Sequence, residues 1–319
     1  GAEQLLSPLE IKDLTPPLRM MLRFLSLTLV AGLVSPLSLA AQRDSAASTA
    51  YSSSECPSCA TWNAPHDPLL IHGNSYYVGT DGLGSILITS SEGHILIDGG
   101  LPESAPRILA NIRALGFRIE DVKLILNSHA HYDHAGGIAA LQRASGATVA
   151  ASPSSAEVIE RGTPGPDDPQ YSIALPYPPA HDVREIADGD TLRVGPLAVV
   201  AHFTPGHTPG GTSWSWRSCE DGRCLDLVYA DSQTPVSADG FRFTGSEASA
   251  EFERSYSVLE RLSCDVLITP HPGASEFWKR IARRDGGARD ALVDRSACRR
   301  YAATARAQLA KRIAREKAR

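Results

Sequence analysis

The chain has 319 residues, with 31 Lys+Arg against 36 Asp+Glu and a formal charge of −5. At roughly 100–200 residues per domain, that length is one large domain or two modest ones. Hydrophobic residues at 42% and charged residues at 21% exclude a disordered chain, and a mildly acidic balance excludes the basic footprint of a nucleic-acid partner.

Residues 1–19 stand upstream of Met20 and Met21 and read as an expression remnant or an overextended start, outside fold reasoning. Residues 20–41 give Met-Met-Leu-Arg, an almost wholly apolar run Phe24–Val34, and small residues at Ser38 and Ala40. That order is a secretory signal cleaved near Ala40 or Ala41, and it predicts a periplasmic protein. The run is well short of the ~20 residues a membrane span needs, so no stable membrane anchor is expected. Residues 42–65, Ser- and Ala-rich at their start, are expected to be mobile, and 66–319 to form one domain.

Six cysteines, an even number, agree with an oxidising compartment, although spacing does not choose among the connectivities open to six. Cys219 and Cys224 bracket a short Glu-Asp-Gly-Arg turn and suit a local bridge. Cys56-Pro-Ser-Cys59 can close on itself, and Cys264 and Cys298 would then pair by elimination. A zinc ribbon would need a second Cys-x-x-C, which the chain lacks.

In chain order, 74–79, 84–89 and 94–98 read as short strands, 105–115 as a helix with Ile108, Ile112 and Leu115 on one face, and 123–127 as a strand. A helix 136–144, a strand 147–151 and a helix 154–161 follow. The Pro-, Gly- and Asp-rich stretch 162–181 predicts a long loop. Beyond it come strands 191–194, 197–203, 212–216, 225–230 and 266–269, with helices 251–262 and 275–282. Two similar halves suggest two packed sheets with helices outside. In the Arg- and Lys-rich run 299–319, Tyr301, Ala305, Leu309 and Ile313 form one apolar stripe, as in a surface helix docked along one side.

The chemistry is concentrated in Asn127-Ser-His-Ala-His-Tyr-Asp-His-Ala-Gly-Gly137, directly after an apolar strand. Imidazole nitrogens and carboxylate oxygens bind Zn²⁺ at roughly 2.0–2.2 Å, so ligands must crowd a small volume. Alternation at the strand end lets His129 and His131 point the same way, and the turn after them can swing Asp133 and His134 toward a second point. His207, in Thr-Pro-Gly-His-Thr-Pro-Gly-Gly211, and His271, in Thr-Pro-His-Pro-Gly273, also follow apolar runs beside Pro and Gly. Three histidines for one metal and Asp, His, His for another account for six ligands. Three protein ligands per ion leave coordination positions open, which favours catalysis over a structural role.

His-x-His-x-Asp-His after an apolar strand, Ile-Leu-Ile-Asp-Gly-Gly100 upstream and Pro-Gly-His-Thr-Pro-Gly-Gly downstream resemble the metallo-β-lactamase superfamily. The resemblance spans 71–298 and implies an αββα sandwich, two mixed sheets flanked by helices, with a metal cleft at one edge. Asp-His at the end of the motif and no cysteine ligand most resemble the third subclass of the class B (zinc) β-lactamases. It implies two zinc ions per chain, one on His129, His131 and His207 and one on Asp133, His134 and His271. Val228-Tyr-Ala-Asp-Ser-Gln-Thr234 resembles a segment in which Ser232 and Thr234 meet the substrate carboxylate, with Gln233 where an apolar residue is usual. The Cys219/Cys224 and Cys264/Cys298 pairs also fit members of the subclass.

The implied function is a secreted dizinc hydrolase that opens the β-lactam amide of penicillins, cephalosporins and carbapenems and confers antibiotic resistance. A zinc-bound hydroxide would attack the carbonyl, aimed by Asp133. Asp98 is expected beside the ligands, orienting a ligating histidine or the loop. The rivals are a lactonase or glyoxalase-type thioesterase of the same fold and a non-catalytic secreted zinc-binding protein. In the thioesterase reading Asp231 bridges the metals; in the β-lactamase reading Ser232 faces the cleft and Asp231 does not bind metal. A di-iron oxidoreductase is disfavoured because His131 is intact. Whether Gln170 and Tyr171, midway in the 162–181 loop, border the cleft is open from sequence, as is a monomeric or homo-oligomeric state.

Overall fold

Strict alternation governs the strands. Ile95 and Ile97 face one side and Leu96 the other; Leu124 and Leu126 face one side and Ile125 the other. Both faces are apolar because both are covered, as in a buried sheet. The structure, a computed structural model, describes residues 55–318; the expected upstream remnant and secretory signal lie outside them.

A seven-stranded sheet runs in sequence order: β1 (Leu69–His72), β2 (Ser75–Tyr77), β3 (Ile86–Ile88), β4 (His94–Ile97), β5 (Val122–Leu126), β6 (Thr148–Ala151) and β7 (Arg184–Glu185). The first four pair antiparallel, and β4 to β7 pair parallel. A second sheet has the order β12-β11-β10-β9-β8, built from β8 (Thr191–Val194), β9 (Leu197–Phe203), β10 (Thr212–Glu220), β11 (Arg223–Tyr229) and β12 (Val266–Ile268). The helices are α1 (Cys59–Trp62), α2 (Ala105–Ala114), α3 (Tyr132–Ala135), α4 (Ile138–Ser145), α5 (Pro153–Arg161), α6 (Glu247–Arg261), α7 (Phe277–Asp285) and α8 (Ala297–Lys317).

Three apolar layers hold this together. Ile86, Ile97 and Leu126 of the first sheet meet Val199, Trp214 and Leu227 of the second. The outer face of the first sheet packs Leu96, Ile125 and Val149 against Ile108, Leu141 and Ile159 of α2, α4 and α5. The outer face of the second packs Val228 and Leu267 against Phe252 and Leu259 of α6 and Ala305 and Leu309 of α8. The result is an αββα sandwich, and the apolar stripe of the basic C-terminal helix is docked inside it. No helix among the described residues is long and apolar enough to cross a membrane.

Several elements depart from the sequence reading. β10 runs to Glu220 because Asp221-Gly222, both at positive φ, makes a two-residue hairpin turn into β11. Strands β1 and β7 were not read from the sequence; β7, of two residues, is too short for a periodic signal. Residues 55–65, expected to be mobile, are packed instead. Cys56 and Cys59 are bridged and buried against Leu83 and Leu101, and the Trp62 carbonyl accepts from Thr80 Oγ1 and the Gly82 amide. Polar composition hid this because a disulfide and one aromatic residue do the anchoring. Cys219–Cys224 and Cys264–Cys298 are also bridged.

The end of α8 is fixed by Glu316, 7% exposed. Its carboxylate accepts from the Phe243 and Thr244 amides, Thr244 Oγ1 and Arg312 Nε at 2.7–3.1 Å. Burial alone would raise its pKa, but these donors hold it at about 2 against an ordinary 4.5. A depressed carboxylate pKa stabilises the fold above the unfolded value, and that contribution is lost as pH falls through the folded one. Glu316→Gln should therefore lower unfolding free energy by about 1–3 kcal/mol at neutral pH. In urea titrations the gap between variant and wild type should close between pH 4.5 and about 2.

Candidate metal centre

Two loops of the first sheet and three of the second converge at one edge of the sandwich. The motif residues follow β5, whose end is tied across to the second sheet: Thr212 N donates to the Ser128 carbonyl at 2.7 Å and Trp214 Nε1 to the Asn127 carbonyl at 3.1 Å. These bonds bring His129 and His131 beside His207, which sits between β9 and β10. Gly206, at φ 131°, lies so close to Phe252 that a Cβ would fall 2.6 Å from the ring, so this turn needs glycine. Asp133 and His134 lie on α3, and Gly137 lets the chain after it pass the Gly99 carbonyl, 2.2 Å from where a Cβ would be. His271 follows β12.

The rings of His129, His131 and His207 lie 4.8–5.2 Å apart by centroid, each steeply tilted to the others. Each has one nitrogen engaged on the side away from the cluster. His129 Nδ1 is 2.7 Å from Asp231 Oδ1, His131 Nε2 is 3.0 Å from Asp168 Oδ2, and His207 Nδ1 is 2.8 Å from the Thr234 carbonyl. The other nitrogen of each turns toward the cluster: His129 Nε2 is buried with no hydrogen-bond partner, whereas His207 Nε2 has the Gln170 side-chain amide 3.3 Å away. Alongside, Asp133 Oδ2, His134 Nε2 and His271 Nε2 are each 3.3 Å from the other two. Tetrahedral ligands on ~2.0–2.1 Å bonds lie roughly 3.3–3.4 Å apart, so this spacing fits a zinc ion. His129, His131 and His207 have donor atoms within 4.8 Å of one another, as do His129, Asp133 and His134.

Electrostatics point the same way. Burial, reinforced by neighbouring His134, His207 and His131, pushes His129 well below its ordinary pKa, and burial with His131 brings His207 down to about 3. Both are neutral at pH 7, as ligands must be. Burial works to raise Asp133, but His134 and His271 overcome it and hold the group well below its usual value. Burial pushes Asp98 and Asp231 up. Asp98, Asp133, Asp168 and Asp231 are all buried, and the ion pairs they make are with histidines. Divalent cations offset such buried negative charge, and two zinc ions fit the donors present.

The structure thus brings together all six residues expected as ligands. Asp231 stands on the Nδ1 side of His129, opposite the nitrogen that faces the cluster, and belongs to neither group of converging donors. Asp98 holds the loop: its oxygens accept from the Ser128 amide and hydroxyl, Tyr229 Oη and Asn127 Nδ2 at 2.6–3.2 Å, while His134 Nδ1 is 4.0 Å away. Ser232 is buried and Thr234 half-buried beside His207. Gln233 is fully buried and ties this segment to the start of the β9–β10 loop through Nε2 and the Thr204 carbonyl. The 162–181 loop does border the cleft, with Gln170 Nε2 3.3 Å from His207 Nε2, whereas Tyr171 is exposed. Sequence reasoning missed Asp168, which no periodicity marks. It also missed Trp62, whose ring lies 5.1 Å from that of His271.

Residues 84–284 match the metallo-β-lactamase superfamily model. The chain belongs to the metallo-β-lactamase superfamily. Among solved structures it is similar to Rm3 metallo-β-lactamase, 57% identical over 82% of this chain and 99% of that one, with a TM-score of 0.81. It is similar as well to MEM-A1, a subclass B3 metallo-β-lactamase from a soil metagenome library, 50% identical over 81% and 99% of the two chains, TM-score 0.79. An N-acyl homoserine lactonase of Bacillus cereus is 26% identical over 209 residues, 58% of this chain and 76% of that protein.

Asp98→Ala would strand several buried donors at the base of the motif loop. It should cost the zinc-free protein about 3 kcal/mol in denaturant unfolding, more than any loss from an exposed aspartate such as Asp167.

Proposed function

We propose that this chain is a dizinc hydrolase that opens the amide of β-lactam antibiotics. The observation that carries the reading is the set of three donors at mutual 3.3 Å beside three converging imidazoles, in a chain whose similarity to subclass B3 enzymes covers nearly their whole length. His129 Nε2, His131 Nδ1 and His207 Nε2 would hold one zinc, and Asp133, His134 and His271 the other. When bound, zinc supplies a water acidic enough to act as nucleophile near neutral pH and a Lewis acid for the carbonyl oxygen.

The protein's own groups then do the positioning. Asp133, held ionised, accepts a hydrogen bond from the attacking water and aims it at the carbonyl carbon. The Ser232 and Thr234 hydroxyls donate to the substrate carboxylate and so fix the orientation of the ring. Hydrolysis adds one water across the C–N bond: carbon takes the oxygen and the ring nitrogen takes a proton from solvent. Three disulfides, together with the charged, apolar and small-residue order of 20–41, support export to the periplasm, where such an enzyme would meet antibiotics and confer resistance.

The second reading, a lactonase or thioesterase, has the Bacillus lactonase similarity in its favour. The placement of Asp231 behind His129, rather than between the two donor groups, argues against it.

Purified protein should hydrolyse a carbapenem and a cephalosporin, lose both activities to a chelator, recover them with zinc, and cleave a thioester at least 10³-fold more slowly. Stoichiometric zinc without hydrolysis of any β-lactam would sink the assignment. His271→Ala should reduce bound zinc from two ions to one and cut kcat at least 100-fold. Thr234→Ala should raise KM about 10-fold with little change in kcat, as loss of one charge-assisted hydrogen bond implies.

A further inference from the structure

Asp168 lies in the Pro- and Gly-rich 162–181 loop, where an aspartate is ordinarily solvated. Here it is 5% exposed. Its Oδ2 is 3.0 Å from His131 Nε2, and its Oδ1 accepts the Gln170 amide at 2.7 Å. The two residues after it reach other parts of the cleft. The Pro169 carbonyl accepts from Ala238 N at 2.9 Å, anchoring the segment that begins at Ser232, and Gln170 Nε2 lies 3.3 Å from His207 Nε2. The same loop also returns Tyr177 Oη to the carbonyl of Ala130, between His129 and His131, at 2.8 Å.

An imidazole offers two nitrogens, and the hydrogen bond at one decides what the other can do. With Nε2–H directed at Asp168, the lone pair of His131 sits on Nδ1 and faces His129 and His207. His129 and His207 present the opposite nitrogen, Nε2, because Asp231 and the Thr234 carbonyl take their Nδ1. His131 is therefore the one member of the trio whose orientation is set from the loop rather than from the second sheet.

We propose that Asp168 is the positioning residue of the first metal site: one carboxylate oxygen fixes the tautomer and ring orientation of His131, and the other locks the loop that carries Gln170 against His207. This rests on the zinc-binding reading of the cluster and is independent of which substrate is cleaved.

An asparagine at this position has one acceptor where the carboxylate has two, so it cannot serve both His131 Nε2–H and the Gln170 amide. Either His131 turns its lone pair away from the site or the loop is released. Loss of such a partner typically costs 10–100-fold in metal affinity or activity.

The test is zinc competition against a chromophoric chelator, with each site isolated in turn. In the His271→Ala background, which retains the first site, Asp168→Asn should weaken zinc 10–100-fold. In the His207→Ala background, which retains the second, it should change affinity less than twofold. Asp167→Asn, one residue earlier and exposed, should leave both affinities and turnover at wild-type values. In the otherwise wild-type, zinc-loaded protein, imidazole ¹⁵N NMR should show His131 protonated at Nε2, with a slowly exchanging N–H that disappears in Asp168→Asn.

Unchanged first-site affinity would overturn the proposal. So would equal weakening of both sites with a matching loss of zinc-free stability, which marks a merely structural role. His131 protonated at Nδ1 in the wild type would overturn it even if the variant did not fold. Failure of the β-lactam reading would show in wild-type turnover, which none of these zinc measurements uses.

Discussion

A histidine can face a metal with only one nitrogen, and in four of the five clustered histidines here a partner holds the other, His134 Nδ1 being the exception. That constraint organises this structure. Asp231 and the Thr234 carbonyl restrain His129 and His207 from the second sheet, Asp168 restrains His131 from the loop, and the Gly82 carbonyl, 3.3 Å from His271 Nδ1, restrains His271 from the first sheet. Because these partners come from separate elements, the site exists only when the sheets are in register. The cross-sheet bonds from Thr212 and Trp214 to the carbonyls before His129 enforce that register.

The same constraint explains the distribution of buried acid. Each aspartate near the cleft is costly to bury, yet each is matched to an imidazole or to a row of backbone and hydroxyl donors. Asp98, at φ 61°, does not touch a converging nitrogen; it fixes the backbone from which His129 springs. Metal chemistry and fold stability thus share residues, and the aspartates that shape the cleft also hold the two sheets' ends in place.

Much of this was legible in the sequence. The period-two runs around Ile95 and Leu124 announce strands buried on both faces, and His129, His131, Asp133 and His134 carry their chemistry in their spacing. His207 and His271 are marked by the Pro and Gly that force the chain out of a strand. Strand alternation says only that Asp231 and Ser232 would face opposite ways, not which of them faces the cleft, and β11 ends before both, at Tyr229. What could not be read were contacts made by irregular chain. Asp168 sits among prolines and glycines with no period to assign it a direction, and Gln233 looks anomalous until its amide is seen bonded to the Thr204 carbonyl. The Cys56–Cys59 bridge was readable, but its packing against Leu83 and Leu101 was hidden by a polar composition that usually means solvent.

The indole of Trp62 rests against His271, and the backbone of Trp62 is bonded to Gly82, whose carbonyl faces that same imidazole. An aromatic chromophore is thereby wired to one ligand of the second ion through two short steps. Its emission should therefore respond to what occupies the His271 side of the cleft, read against the chain's three other tryptophans.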